Sequence, residues 1–404
     1  MQEFTFLPQL PFAFNAVVLF GLLLVGGFTA GELANRFLAL PKVTGYVLLG
    51  VLVGPGAFNW YDTGMLAQSR VFVDIALGIL LFEAGRYLDW HWFRSNPWIL
   101  VTGVLSGLFA FVFLFAILLL FDVAPLLAAI VAAIGMSSSP AVVLMVARDL
   151  RAEGQVTERA MATVAINSVL AFLGVTILVP ALHFEQHATL AVILLHPAWL
   201  FFGSFAIGVL AGVVLIGIAK LVGPRQSRQF VVMVGVILIT VGVAQALKLS
   251  ILIALLVLGA TARNLDRLNL QEVDLLGTGR LFIVVLFVVI GASLQLDALR
   301  TSALVAAALI VVRWGGKALA VVALGTVSGL TWQKSLWLSL TLLPMSGTAL
   351  VMTQDLITFY PKFGAQVSSI VLGMVALLEL VGPLAVQWAL RASGDAMPRK
   401  EAPR

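Results

Sequence analysis

Ser139-Pro-Ala-Val-Val-Leu-Met145 and Ser346-Gly-Thr-Ala-Leu-Val-Met352 are one phrase written twice, 207 residues apart. Two further pairs keep the same order and nearly the same spacing. Leu38-Ala-Leu-Pro-Lys-Val-Thr-Gly-Tyr-Val-Leu-Leu-Gly50 matches Leu247-Lys-Leu-Ser-Ile-Leu-Ile-Ala-Leu-Leu-Val-Leu-Gly259 at 209 residues. Leu81-Phe82, Gly85 and Leu88-Asp89 match Leu286-Phe287, Gly291 and Leu296-Asp297 at 205 to 208 residues. A single match carries little weight in apolar sequence, but three in one order define an internal repeat.

The surrounding sequence sets the solvent of that repeat. Hydrophobic residues make up 61% of the 404 positions and charged residues 11%, against roughly 25% charged in a soluble protein. A soluble fold still needs a polar surface, so lipid is the expected solvent. Thirteen hydrophobic segments run at about 12–38, 43–57, 70–86, 97–121, 124–148, 158–182, 190–222, 228–247, 250–263, 277–294, 301–325, 333–354 and 364–391. The second and ninth are short for a span and are expected to tilt or pack deeply. The repeat spacing carries segment 2 onto 9, 3 onto 10 and 5 onto 12, and by extension 1 onto 8 and 6 onto 13. Seven is odd, so the second half inserts upside down. This is the inverted-repeat plan of secondary transporters. The expected fold is an all-α polytopic membrane protein of about 13 transmembrane helices in two inverted-topology six-helix repeats. Residues 1–404 read as a single integral membrane domain. Repeat 1 covers about 12–182, a linker helix about 190–222, repeat 2 about 228–391 and a short tail 392–404.

The net charge of +5 is explained by orientation. With the N-terminus outside and the C-terminus in the cytoplasm, eighteen of the 24 basic residues fall on the cytoplasmic side and four outside. Arg313 and Lys317 lie inside a helix. That asymmetry is a positive-inside signal, so no nucleic-acid partner is expected. Met1 to Pro11 holds one acid and no basic residue, unlike the n-region of a cleaved signal peptide, and the first helix is expected to be retained. Absent cysteine removes disulfides and thiolate metal sites. No Walker, GxGxxG, GxSxG or HExxH motif occurs. No cofactor, resident metal or hydrolytic activity is expected. The four histidines fall in loops or at interfaces without metal-ligand spacing.

In an inverted-repeat carrier the site lies near the midplane, beside helices that break. Segment 5 holds Gly135-Met-Ser-Ser-Ser-Pro-Ala141 at its centre, and segment 12 holds Pro344-Met-Ser-Gly-Thr348. Proline removes a backbone donor and clashes with the preceding turn. The bared N–H and C=O groups persist in a membrane only where they line a cavity or ligand. The plainer alternative is a proline kink satisfied by serine hydroxyls. Ser138, Ser139, Ser346 and Thr348 are the candidate site hydroxyls. Arg313 and Lys317, four residues apart on segment 11, share a face. A mid-bilayer charge costs at least ~2.5–3.5 kcal/mol. They either neutralise the C-termini of half-helices or contact a transported species. Among the few acids within segments, Glu379 lies well inside the thirteenth, just before Gly382-Pro383.

These residues resemble the monovalent cation:proton antiporter superfamily, in its branch of bacterial sodium/proton antiporters and potassium-efflux systems. Leu40-Pro-Lys-Val-Thr-Gly-Tyr-Val-Leu-Leu-Gly-Val-Leu-Val-Gly-Pro55 resembles its second-helix signature. Leu77-Gly-Ile-Leu-Leu-Phe-Glu-Ala-Gly85 resembles its third helix and Leu378-Glu-Leu-Val-Gly-Pro383 its last. The resemblance covers about residues 12–391. It implies crossed broken helices, a dimerisation domain and hence a homodimer, an elevator motion, a place in the bacterial inner membrane, and a monovalent cation and a proton as partners. Related helix 6 sequences carry Asp-Asp or Asn-Asp, whose second acid binds the ion. Here Val164-Ala-Ile-Asn-Ser-Val-Leu170 puts Asn167 first and Ser168 in the place of that acid. Some relatives have Thr-Asp in broken helix 5, where this chain has Ser138-Ser139. The family's helix 11 cation is matched by Arg313.

A serine hydroxyl does not titrate in the useful range and cannot trade Na⁺ for H⁺ as a carboxylate does. Either Glu379 or Glu83 takes over the coupling, with a structural role weighing more for Glu83, or the site favours another solute. Three functions follow. The leading one is a sodium or potassium/proton antiporter with altered ion coupling. The second is a carrier of a small anion or neutral solute on the same scaffold. The third is a non-transporting sensor or assembly partner.

Overall fold

A computed structural model describes residues 16–61, 63–179, 195, 197–223, 225–265, 279–294, 296–345, 347–359 and 361–397. The first hydrophobic segments form α1 (Ala16–Leu38), α2 (Lys42–Val53) and, after the short α3 (Thr63–Gln68), α4 (Arg70–Gly85). A turn of helix, α5 (Trp90–Ser95), leads into α6 (Pro97–Leu120). The fifth segment is two helices, α7 (Pro125–Met136) and α8 (Pro140–Asp149), followed by α9 (Gln155–Leu178). A π-helical turn at Trp199–Gly203 runs into α10 (Ser204–Val222), then α11 (Gln226–Ala246), α12 (Ile251–Leu265), α13 (Arg280–Ala292) and α14 (Leu296–Val327). The twelfth segment is again two helices, α15 (Trp332–Thr341) and α16 (Gly347–Phe359), and α17 (Pro361–Ala392) closes the fold.

Local chemistry sets the ends. Proline stands in the first turn of α6, α7 and α8, where its missing N–H has no helical partner to lose. Asp89 caps α5 by accepting from the His91 and Trp92 amides. Gly223 stops α10 at φ 84°, a backbone region that favours glycine. Among the described residues, eight helical stretches are long and apolar enough to cross a bilayer, one of them Pro125–Asp149 taken whole. α2, α12 and α13 have 12, 15 and 13 residues, too short at 1.5 Å per residue for a core of about 30 Å. They are instead wrapped by protein: Ile283 to Ala292 of α13 are all buried.

The repeat seen in sequence recurs as packing. α2 crosses α13 so closely that a Cβ added at Gly50 would meet the Val288 carbonyl oxygen, and one at Gly291 would meet that of Val47. α12 crosses α4 in the same way, Gly259 against the Phe82 carbonyl and Gly85 against that of Leu256. Gly50 matches Gly259 and Gly85 matches Gly291 in the sequence repeat, so the two crossings are counterparts. α6 and α14 also pack as a pair, with Gly316 against the Phe109 backbone, 207 residues away. Around the broken helices stand α6, α9, α14 and α17.

Candidate functional site

The two broken segments meet at their breaks. α7 stops at Met136, Ser137 to Ser139 are extended, and α8 restarts on Pro140. α15 stops at Thr341, and α16 begins at Gly347. The Ser139 amide donates to the Pro344 carbonyl (2.8 Å), and the Ser138 hydroxyl to that of Leu342 (2.9 Å). The Ser139 hydroxyl accepts from the Val142 amide and caps α8. The Ser137 hydroxyl donates to the Ile134 carbonyl (2.7 Å). Serine hydroxyls therefore do satisfy part of each break. The extended backbone between the half-helices goes beyond a kink.

Arg313 and Lys317, both fully buried, project from one face of α14 into this crossing. Arg313 donates from Nε to the Gly135 carbonyl (2.7 Å), from Nη1 to that of Leu343 (2.8 Å) and from Nη2 to that of Ser137. These are the carbonyl ends of α7 and of the α15 break, which carry partial negative charge. Lys317 Nζ donates to the Met136 carbonyl (2.8 Å), that of Ser137 (3.4 Å) and the Ser138 hydroxyl (2.6 Å). Asn167 lies on its other side. With the amide turned to match its surroundings, Asn167 Oδ1 accepts from Lys317 Nζ (3.1 Å), and Nδ2 donates to the Gly103 carbonyl (2.8 Å). Among the described residues, the ammonium thus meets four oxygens and no carboxylate. Ser168 donates to the carbonyls of Ser138 and Val164, both at 3.0 Å, and braces the break that holds Lys317.

Thus Ser138, Ser139, Asn167, Ser168, Arg313 and Lys317 come together. Thr348 is the second residue of α16. It is buried, and its hydroxyl has no hydrogen-bond partner among the described residues. Ser346 lies outside the described residues, as do His183, His187 and His196. Glu379 is fully buried on α17, one turn before Gly382, where an added Cβ would stand 3.2 Å from Pro344. Glu83 forms an ion pair with Arg86 (2.9 Å). The sequence reading missed the carbonyls of Gly135, Met136 and Leu343, which have no side-chain signature. It also missed Ser106, within 3.2 Å of the Asn167 amide, whose one signal was that it stands 207 residues before Arg313.

An all-helical chain with lipid-length apolar helices and a sealed polar crossing between two broken helices defines a secondary transporter. The chain matches the family model for the sodium/hydrogen exchanger, transmembrane, over residues 17–392, and it belongs to that family. It is a transporter and not an enzyme. Its fold matches the sodium proton antiporter MjNhaP1 from Methanocaldococcus jannaschii at pH 8, with a TM-score of 0.72, 16% identity and coverage of 94% of this chain and 97% of that one. A second structure of that antiporter, from an electron-microscopy map, matches with a TM-score of 0.67, 17% identity and coverage of 95% and 99%. No curated protein matches the chain in sequence.

Proposed function

We propose that this chain exchanges a monovalent cation, Na⁺ or K⁺, for a proton, and that Lys317 carries the proton in place of the carboxylate absent at Ser168. The observation that supports this is the oxygen set around Lys317 Nζ: the Met136 and Ser137 carbonyls, the Ser138 hydroxyl and the Asn167 amide oxygen. Carbonyl, amide and hydroxyl oxygens are the ligands of hard cations, and the ammonium is a tethered cation among them. When the ammonium gives its proton to water, the neutral amine keeps two N–H donors in place of three, carries no charge, and can rotate away on its flexible stem. A cation then takes the same oxygens, and reprotonation expels it. Proton and cation compete for one cage, which is the requirement of antiport.

The same geometry weighs against a small anion as cargo. An anion needs donors, and those of Arg313 and Lys317 point at carbonyl and hydroxyl oxygens. The α7 end that faces the site is a C-terminus, which repels anions, and Ser139 closes the N-terminus of α8. Proteoliposomes loaded with a pH dye test the reading. Gradients of Na⁺, K⁺ or Li⁺ are expected to move protons, whereas anion gradients at fixed cation move none. Proton movement driven by an anion alone, or by no ion tried, contradicts it. The cytoplasmic C-terminus and the homodimer belong to the same proposal.

A further inference from the structure

At the basic end of the molecule, Lys42, Arg148, Asp149, Arg151 and Arg280 surround a cleft of about 370 Å³. Topology alone asks for basic residues at this end of the chain but not for their convergence. These come from three places far apart in sequence: the start of α2, the end of α8 and the start of α13. Lys42 and Arg280 are the first residues of α2 and α13, so two helix N-termini meet at the cleft. The start of α13 carries no side-chain cap, whereas the Lys42 amide at the start of α2 already donates to the Asp149 carboxylate. The first amides of α13 and the positive dipole ends of both helices favour an anion. Arg151 is held at φ 48° just past α8, a costly conformation for a residue with a side chain. The Ala152 amide fixes it there through a 2.8 Å bond to the Ala147 carbonyl. Among the described residues the opposing charges are few. Asp149 lines the cleft, and Glu32 of α1 pairs with Lys42. Four cations against two acids among the described residues leave a net positive charge, and Arg151 and Arg280 are both exposed.

We infer that this cleft is a binding site for a phosphate-bearing anion, distinct from the transport site. Cationic side chains and an uncapped helix N-terminus, that of α13, are the donor set that phosphate oxygens take. The volume falls in the range of small-ligand sites and exceeds what a bare halide needs. An anion seated there would tie the end of α8, the continuation of the broken helix, to α2 and α13. Two sources share this chemistry: the headgroup of an anionic phospholipid and soluble phosphate.

Thermal melting of the full chain in uncharged detergent separates them. Tris phosphate is one arm, with Tris chloride at matched ionic strength as its control. Phosphatidylglycerol is the other, controlled by phosphatidylcholine. One of the two phosphates is expected to raise the melting midpoint by several degrees over its control. The shift should vanish in Arg151→Ala/Arg280→Ala. The milder Arg280→Gln should raise the phosphate or lipid concentration for half-effect about tenfold, the loss expected for one charge-assisted contact. A shift with phosphate alone assigns a soluble ligand, and a shift with phosphatidylglycerol alone assigns the lipid. No shift over either control, or an equal shift in Arg280→Gln, overturns the site. Failure of cation exchange would leave this result unaffected, since binding is read without transport.

Discussion

Ser168 stands where an exchanging carboxylate was expected, and its hydroxyl is engaged by the Ser138 and Val164 carbonyls. Its work is to hold the break in shape. Replacing it with Ala removes both bonds and is expected to cost about 1–3 kcal/mol of stability through the orphaned Ser138 carbonyl, with antiport surviving. A melting shift in detergent paired with a flux assay reads the two separately. Glu379 is the remaining buried acid on the face of α17 that meets Pro344. If Lys317 carries the proton, Glu379 serves only to balance charge. Glu379→Gln should then slow exchange while leaving its cation dependence in place. Complete loss of proton-linked exchange in Glu379→Gln would move the coupling from Lys317 to Glu379. The choice between the two residues was not legible in the sequence. Lys317 is marked out by the carbonyls around it, and a backbone oxygen has no letter of its own.

At the scale of elements, the breaks were legible because Pro140 and Pro344 mark them, and Arg313 was legible because a mid-helix cation demands a partner. Which partner it finds depends on how two half-helices cross, and no local pattern encodes that. The glycine crossings show the same division. Gly50, Gly85, Gly259 and Gly291 all lie in the repeated stretches. That Gly50 meets α13 and Gly259 meets α4 emerges only from packing. Gly259→Val must push α12 off the Phe82 backbone, and overpacking of this kind costs about 1–3 kcal/mol. The lowered melting midpoint should be matched by Gly50→Val, its repeat counterpart. A tail contact was also invisible. Asp395 accepts from the Thr157 amide (2.9 Å) and hydroxyl (3.1 Å), capping the start of α9 from beyond the end of α17. Asp395→Ala should cost about 0.5–2 kcal/mol, the usual loss for an N-cap. An unchanged melting midpoint would contradict that role.

At the scale of the whole molecule, the charge of the site sets the stoichiometry. A protonated Lys317 and a neutral Lys317 with one monovalent cation in its cage carry the same charge. One proton should therefore exchange for one cation without net charge movement. The rate in liposomes under a sodium gradient should be indifferent to an imposed membrane potential, whereas a rate that rises with inside-negative voltage would require unequal exchange. The inverted plan was legible at this scale because the repeat offset and the odd number of intervening segments are properties of the chain as a whole. The chemistry of the centre was less so, because Ser168 stands where the family resemblance led to the expectation of an acid. The most direct measurement is sodium-driven proton flux in proteoliposomes of Lys317→Met beside the unaltered chain, both shown to melt cooperatively. The account predicts that the unaltered chain moves protons and Lys317→Met does not; proton flux retained in Lys317→Met would contradict it.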